Sequence, residues 1–390
     1  MTSDRAPVEI GPFPIAVPDA DLGDLRDRLA RTRWPERETV DDWSQGIPLA
    51  YVRDLCAYWA EHYDWRRCEA ALNGWGSSRA VLDGEGPEPL GIHFLHARSP
   101  HPDAFPLVLT HGWPGSVIEF SKVIGPLTDP VAHGGAAADA FHVVCPALPG
   151  YGFSDKPERS GWGIQRIARA WAQLMAGLGY GRYGAQGGDW GSVVTMAIGS
   201  QDTEHCAGVH LNMAVAPPGP DDMADLTPAE KGALDAMAHY DRWESGYMKE
   251  QSTRPQTVGY GLVDSPSGQA AWIVEKFWGW TDCDGHPENV FTKDELLDNV
   301  MLYWLTGAGA SSARLYWEAV TTRGGLEPVR VPSGISVFPH EIFRVSRRWA
   351  ERRFTDLRFF SEPDRGGHFA AFERPERFVD DVRAFFRMIR

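Results

Sequence analysis

Gly187-Gly188-Asp189-Trp190-Gly191-Ser192 is the stretch whose reading decides the fold. It follows the short run Tyr183 to Gln186 and precedes Val193-Val194-Thr195-Met196-Ala197-Ile198, the start of a buried helix. An acidic residue among glycines at a strand-to-helix turn has two readings. It can be a nucleophile held clear of a sheet, because small neighbours tolerate the strained backbone such a turn demands. It can equally be a helix cap, since free N–H groups and the positive dipole end favour a carboxylate there. These six residues do not separate the two.

The surrounding chain sets the architecture. Pro106-Leu107-Val108-Leu109-Thr110 and Phe141-His142-Val143-Val144-Cys145 are continuous apolar runs, as expected for strands buried on both faces of a parallel sheet. Helical patterns at Val117 to Ile124 and Ile164 to Ala176 lie between the runs. Strand signals return at Gly334 to Phe338 and Leu357 to Phe360, and Pro375 to Ile389 reads as an amphipathic helix. Alternating strand and helix predicts an α/β sandwich, with ligands at the carboxyl ends of the strands.

Two regions stand apart from that alternation. Residues 1–100 read as a mainly helical extension, with Leu22, Leu25 and Leu29 on one helix, a second helix from Pro48 to Asp64, and a strand at Gly91 to Arg98. Residues 217–325 read as a helical, aromatic insertion that would lie over the site as a lid. Trp243, Trp272, Trp278, Trp280, Trp304 and Trp317 fall there, out of 16 tryptophans in the chain. Core segments at 101–216 and 326–390 complete the division. Gly177-Leu178-Gly179-Tyr180-Gly181 follows a helix rather than a strand, so it reads as a C-cap and loop instead of a dinucleotide turn.

Composition narrows the function. A length of 390 residues allows one large core plus insertions, and the net charge of −15 argues against nucleic acid or an anionic membrane surface as partner. Five scattered cysteines without a Cys-x-x-Cys pair fit reduced structural thiols rather than a zinc site or disulfide framework. No apolar run reaches signal or spanning length, so a cytoplasmic location is expected.

Three strand-end turns carry polar residues with little structural reason to be there. They are His111-Gly112-Trp113-Pro114-Gly115-Ser116, the Asp189 turn, and Asp364-Arg365-Gly366-Gly367-His368-Phe369. A histidine downstream of the nucleophile turn is where an α/β-hydrolase places its base, giving the order Asp189, acid, His368. Glu341, closing Val337-Phe338-Pro339-His340-Glu341, has the position of the acid. A carboxylate where serine usually stands changes the chemistry: it attacks an electrophilic sp³ carbon and leaves an alkyl ester for water to hydrolyse.

These motifs together resemble the epoxide hydrolases of the α/β-hydrolase superfamily, specifically the microsomal type with an N-terminal meander. Tyr58-Trp59 with Tyr63-Asp64-Trp65-Arg66 is similar to that meander, and His111-Gly112-Trp113-Pro114 to the family's oxyanion motif. Ser252 to Thr257 and Asp264-Ser265-Pro266 through Glu275-Lys276-Phe277 are similar to lid segments. Phe338-Pro339-His340-Glu341 and Arg365-Gly366-Gly367-His368-Phe369 complete the series.

The resemblance implies an α/β-hydrolase fold with a mostly parallel sheet, and Asp189 as nucleophile, His368 as base and Glu341 as its orienting acid. It implies that Tyr247 and Tyr316 bind and protonate the epoxide oxygen, with Tyr303 the rival of Tyr316. Backbone N–H groups of Trp113 and Trp190 would form the oxyanion hole, and a cis bond would precede Pro114. A small-molecule epoxide and water are the implied partners, with no metal, no cofactor and no membrane anchor; a homodimer stays open. Asn73 to Ser78 departs from the expected meander, so its path is expected to differ. Bacterial members of the subfamily include detoxifying enzymes and natural-product tailoring enzymes.

A haloalkane dehalogenase is the nearest rival, because it too uses an Asp followed by Trp. A catalytically silent hydrolase fold is the other. The Trp113-Pro114 pair, the lid tyrosines and the N-terminal extension oppose the first, and the presence of Asp189, Glu341 and His368 opposes the second. The tryptophan-rich lid suggests a sizeable aromatic epoxide, although lid tryptophans also serve as ordinary core.

Overall fold

Leu107, Val108 and Leu109 are fully buried, as are Val143, Val144 and Cys145, so these two runs do lie inside a sheet covered on both faces. The computed structural model describes residues 8–321 and 327–390. Its sheet has nine strands: β1 (Ile10–Pro12), β2 (Ser77–Leu82), β3 (Leu90–Ala97), β4 (Phe105–Thr110), β5 (Phe141–Pro146), β6 (Tyr183–Gly187), β7 (Cys206–Leu211), β8 (Ser333–Ser336) and β9 (Leu357–Ser361). The spatial order is β1-β2-β3-β5-β4-β6-β7-β8-β9. Pairings from β5 through β4 to β9 are parallel, and β1, β2 and β3 extend the β5 edge antiparallel. The expected mostly parallel α/β sheet is therefore present.

Helices cover both faces. The helix Pro375–Arg387 buries Phe378, Val382, Phe385 and Phe386. Phe386 packs on Phe105 and Phe141 with ring centroids 5.8 and 5.6 Å apart. On the helix Ile164–Gly177, Ile167, Trp171 and Leu174 are buried, and its end runs through Leu178 into Gly179 at φ 86°, the C-cap expected there.

Among the described residues six α-helices lie between β7 and β8: Pro228–Trp243, Gly246–Thr253, Pro255–Asp264, Pro266–Gly279, Lys293–Trp304 and Gly309–Thr321. Their starts are written in the sequence. Thr227 with Glu230 and Thr292 with Glu295 form capping boxes, while Pro228, Pro255 and Pro266 occupy first-turn positions. The expected return to the core at residue 326 lies outside the described residues.

The N-terminal helices grip this layer from outside. Tyr63 Oη donates to Asp298 Oδ1 at 2.7 Å, and Arg67 bonds the same carboxylate at 2.7 Å. Trp43 stacks on Trp278 at 4.9 Å.

Some expectations need correction. The first third of the chain is not mainly helical, because β1 and β2, which carry no strong apolar pattern, lie there beside the expected strand β3. β7 is a further strand that the pattern did not predict, since Cys-Ala-Gly-Val-His-Leu lacks a strong apolar run. The helix expected over Val117 to Ile124 is a 3₁₀ turn, Val117–Phe120, followed by a short helix, Ile124–Thr128. Ser116 Oγ caps that turn at Ile118 N. Asn73 to Ser78 ends the helix Trp65–Gly74 and enters β2 through Gly76 at φ 81°.

All five cysteines are buried and unpaired. Among the described residues no helix is long and apolar enough to cross a membrane.

Candidate active site

Four turns at the carboxyl end of the sheet converge. They follow β4, β6, β8 and β9 and carry Trp113, Asp189, Glu341 and His368. Asp189 opens the helix Asp189–Gln201 and sits at φ 49°, a left-handed conformation that costs a non-glycine residue on the order of 1–3 kcal/mol. The neighbours make that geometry unavoidable. A Cβ on Gly191 would overlap the carbonyls of Thr110 and His111, and one on Gly112 would overlap the Asp189 carboxylate. The elbow thus presses directly on the end of β4, and only glycine permits the approach.

The carboxylate is held from two sides. Trp113 N–H donates to Asp189 Oδ1 at 2.8 Å, and His368 Nε2 lies 3.4 Å from Oδ2. The Trp190 N–H belongs to the first helical turn beside it, where backbone donors have no intrahelical acceptor. The Trp113–Pro114 bond is cis, as expected. His111, in the same turn, is a structural residue. Its Nε2 accepts from Leu148 N–H at 3.2 Å, its Nδ1 donates to the Gly112 carbonyl at 3.0 Å, and burial lowers it to about 4, leaving it neutral.

His368 Nδ1 bonds Glu341 Oε1 at 2.6 Å, and Ile342 N–H donates to the same oxygen at 2.7 Å. The backbone of His368 is fixed as well: its N–H donates to the Trp280 carbonyl, and its carbonyl accepts from Asn212 Nδ2. Burial alone would lower the affinity of the imidazole for a proton. The charge of Glu341 and the hydrogen bonds to Asp189 and Glu341 outweigh it and hold His368 well above its ordinary value.

Above the carboxylate lies an aromatic enclosure. Tyr247 stacks on Trp113 (4.8 Å, 10°), Tyr316 meets Tyr247 edge-on at 5.8 Å, and Trp190 meets Tyr316 at 4.8 Å. The Tyr316 hydroxyl is buried and forms no regular hydrogen bond. Tyr303 stands apart, because its hydroxyl donates to the Gly115 carbonyl at 2.6 Å. Of the lid tryptophans, Trp280 reaches the site, packing on Tyr247 at 5.2 Å and on His368 at 5.0 Å. Trp243 is exposed and Trp278 faces Trp43, so the lid is less of an aromatic box than its composition suggested.

Two residues at the site gave no sequence signal. Glu119 lies beside it, half-buried; burial first, then the charges of Asp189 and Glu341, raise its carboxyl to about 8 against the opposing pull of His368. Tyr240 reaches Tyr247 from the preceding lid helix, hydroxyl to hydroxyl at 2.6 Å. Both contacts depend on how the lid and the first turn fold back, which no local pattern encodes.

Residues 10–120 match the family described as Epoxide hydrolase N terminus, and residues 106–261 match the alpha/beta hydrolase fold. The chain is 56% identical over 381 residues to a Stigmatella aurantiaca protein that bears a provisional epoxide hydrolase name, covering 98% of this chain and 86% of that one. It is 35% identical to Epoxide hydrolase 1 of Sus scrofa over 409 residues, 97% of this chain and 89% of the other. The crystal structure of juvenile hormone epoxide hydrolase from Bombyx mori superposes with a TM-score of 0.88 at 32% identity, covering 98% and 95%. These relatives set the dehalogenase and silent-fold alternatives aside: the chain belongs to the epoxide hydrolases of the α/β-hydrolase superfamily, in the microsomal-type group that carries the N-terminal extension.

Proposed function

We propose that this enzyme opens an apolar, aryl-bearing epoxide to a vicinal diol through a covalent ester on Asp189. The observation that carries the reading is Tyr316, a buried hydroxyl without a regular partner, beside Tyr247 and above a carboxylate already held by Trp113 N–H. Asp189 attacks an epoxide carbon and the C–O bond breaks. Tyr247 and Tyr316 donate to the oxygen as it becomes an alkoxide. Two donors in a dry pocket share that charge where bulk water would not reach it.

Ester formation then changes His368. Alkylation removes the negative charge of Asp189, one of the two carboxylates that raise the imidazole, so its proton affinity falls and it can take a proton from water. Glu341 keeps the ring oriented through Nδ1. Hydroxide adds to the ester carbonyl, and the N–H groups of Trp113 and Trp190 take up the oxyanion. The aromatic lining made by Trp113, Trp280, Tyr247 and Tyr316, packed ring to ring, supports an aromatic substituent on the epoxide.

The division into an extension at 1–100, core segments at 101–216 and 326–390, and a lid at 217–325 accompanies this reading, with the lid supplying both tyrosines. Five buried, unpaired cysteines support a reducing, cytoplasmic compartment.

Incubation with styrene oxide, without metal or nucleotide, tests the proposal. Phenyl-substituted vicinal diol is the expected product. Halide release from haloalkanes with no diol from any epoxide would overturn it.

A further inference from the structure

Tyr247 is not an isolated phenol. Its hydroxyl meets that of Tyr240 at 2.6 Å, the length of a strong O–H···O bond. Tyr240 belongs to the helix Pro228–Trp243 and is buried there, its ring edge-on to Phe343 at 5.3 Å. Its other potential acceptor is the thioether of Met248 at 3.9 Å, which accepts weakly. When Tyr247 turns its proton to a substrate oxygen, the Tyr240 proton has one good place to go, the Tyr247 oxygen. On the other side of the ring, the Lys276 ammonium lies 4.9 Å from the Tyr247 centroid. Tyr316 has neither support.

Building on the covalent reading above, we propose that Tyr240 is a positioning residue for ring opening, donating its hydrogen bond to Tyr247 Oη so that Tyr247 acts as the proton donor while Tyr316 only holds the oxygen. In the step concerned, an Asp189 oxygen bonds to the epoxide carbon as the carbon–oxygen bond breaks. The freed oxygen takes the proton of Tyr247. The electron pair of that O–H bond stays on Tyr247 Oη, where the Tyr240 hydroxyl stabilises it until the proton that His368 takes from the hydrolytic water is returned to it. The titratable and charged groups facing the pair are Asp189, Tyr316, Lys276, Glu244 and Asp241. Burial, first among the causes, pushes both phenols up; at rest the shared bond raises Tyr247 further and lowers Tyr240, as when Tyr247 donates, and the bond reverses only when the substrate oxygen takes the Tyr247 proton.

The test is a double-mutant cycle read in single-turnover kinetics, with alkylation of Asp189 followed separately from ester hydrolysis. Tyr240→Phe keeps the ring on Phe343 and is expected to slow alkylation by about 10- to 100-fold, the worth of a hydrogen bond to a developing charge, while hydrolysis is unchanged. In a Tyr247→Phe background the same change is expected to cost nothing further. Unaltered alkylation in Tyr240→Phe, or an equal loss with and without Tyr247, would overturn the assignment. If Tyr240→Phe does not fold, 3-fluorotyrosine at position 240, a stronger donor of nearly the same shape, should alkylate at least as fast as the parent enzyme. Slower alkylation would count against the proposal. Failure of the covalent reading would look different, because no alkyl-enzyme would form even in the unaltered protein.

Discussion

Replacing Glu119 by glutamine should make the protein's stability markedly less sensitive to alkaline pH. The Glu119 carboxyl stands at about 8 in the folded chain against an ordinary 4.5, chiefly through burial and then through Asp189 and Glu341. A folded-state value raised above the unfolded one means that its contribution is intact below pH 4.5 and is lost as pH rises to about 8. At about 1.4 kcal/mol per pH unit, that separation bounds the loss at about 5 kcal/mol, reached above pH 8. A glutamine side chain would keep the shape of the neutral acid and never ionise. Denaturant unfolding at pH 5 and pH 9 measures the difference. At pH 5 the variant should match the parent within about 1 kcal/mol, the usual size of a neutral hydrogen-bond change. At pH 9 it should be the more stable by several kcal/mol. The same stability gap at both values would refute the reasoning, since the Glu119 carboxyl would then not be held neutral by its site.

Tyr316→Phe should lower the alkylation rate by about 10²- to 10³-fold, as expected for one of two donors to a developing oxyanion. Tyr303→Phe, which strands the Gly115 carbonyl, should instead cost about 1–3 kcal/mol of stability and leave alkylation within about tenfold; rapid-quench kinetics and thermal melts separate the two. Asp298→Ala removes the carboxylate shared by Tyr63 and Arg67 and should destabilise the chain by about 3 kcal/mol, read as a lowered unfolding midpoint and faster proteolysis near the helix Lys293–Trp304. Gly191→Ala forces a methyl into the carbonyls of Thr110 and His111 and should abolish diol formation, measured against folded protein by circular dichroism.

Much of this site was legible because chemistry collects at strand ends. The buried runs of β4, β6 and β9 were readable as apolar or glycine-bounded stretches, so the polar turns after them stood out. Asp189 alone was ambiguous between a cap and a nucleophile. It is in fact the first residue of its helix, with Gly188 in the capping position. What supports the nucleophile reading is the convergence of Trp113, His368 and Glu341, residues distant in sequence that parallel connections bring to one edge. Where pattern was weak, expectation failed. β1 and β2 pair at an antiparallel edge, β1 being only Ile-Gly-Pro and β2 opening with Ser-Ser-Arg, and β7 mixes Gly and His into its run. Tyr240 and Glu119 matter through contacts made by neighbouring elements, which hydrophobic periodicity does not record. Tyr303 and Tyr316 are alike in local pattern, and only the fold distinguishes them: the Tyr303 hydroxyl donates to the Gly115 carbonyl and the Tyr316 hydroxyl has no such partner.

The central claim, a covalent ester on Asp189, is tested most directly by one turnover in heavy-oxygen water with enzyme in excess of epoxide. Hydrolysis at the ester carbonyl predicts that the first diol released carries no label and that the peptide containing Asp189 gains it. Label in that first diol, with the Asp189 peptide unchanged, would contradict the account.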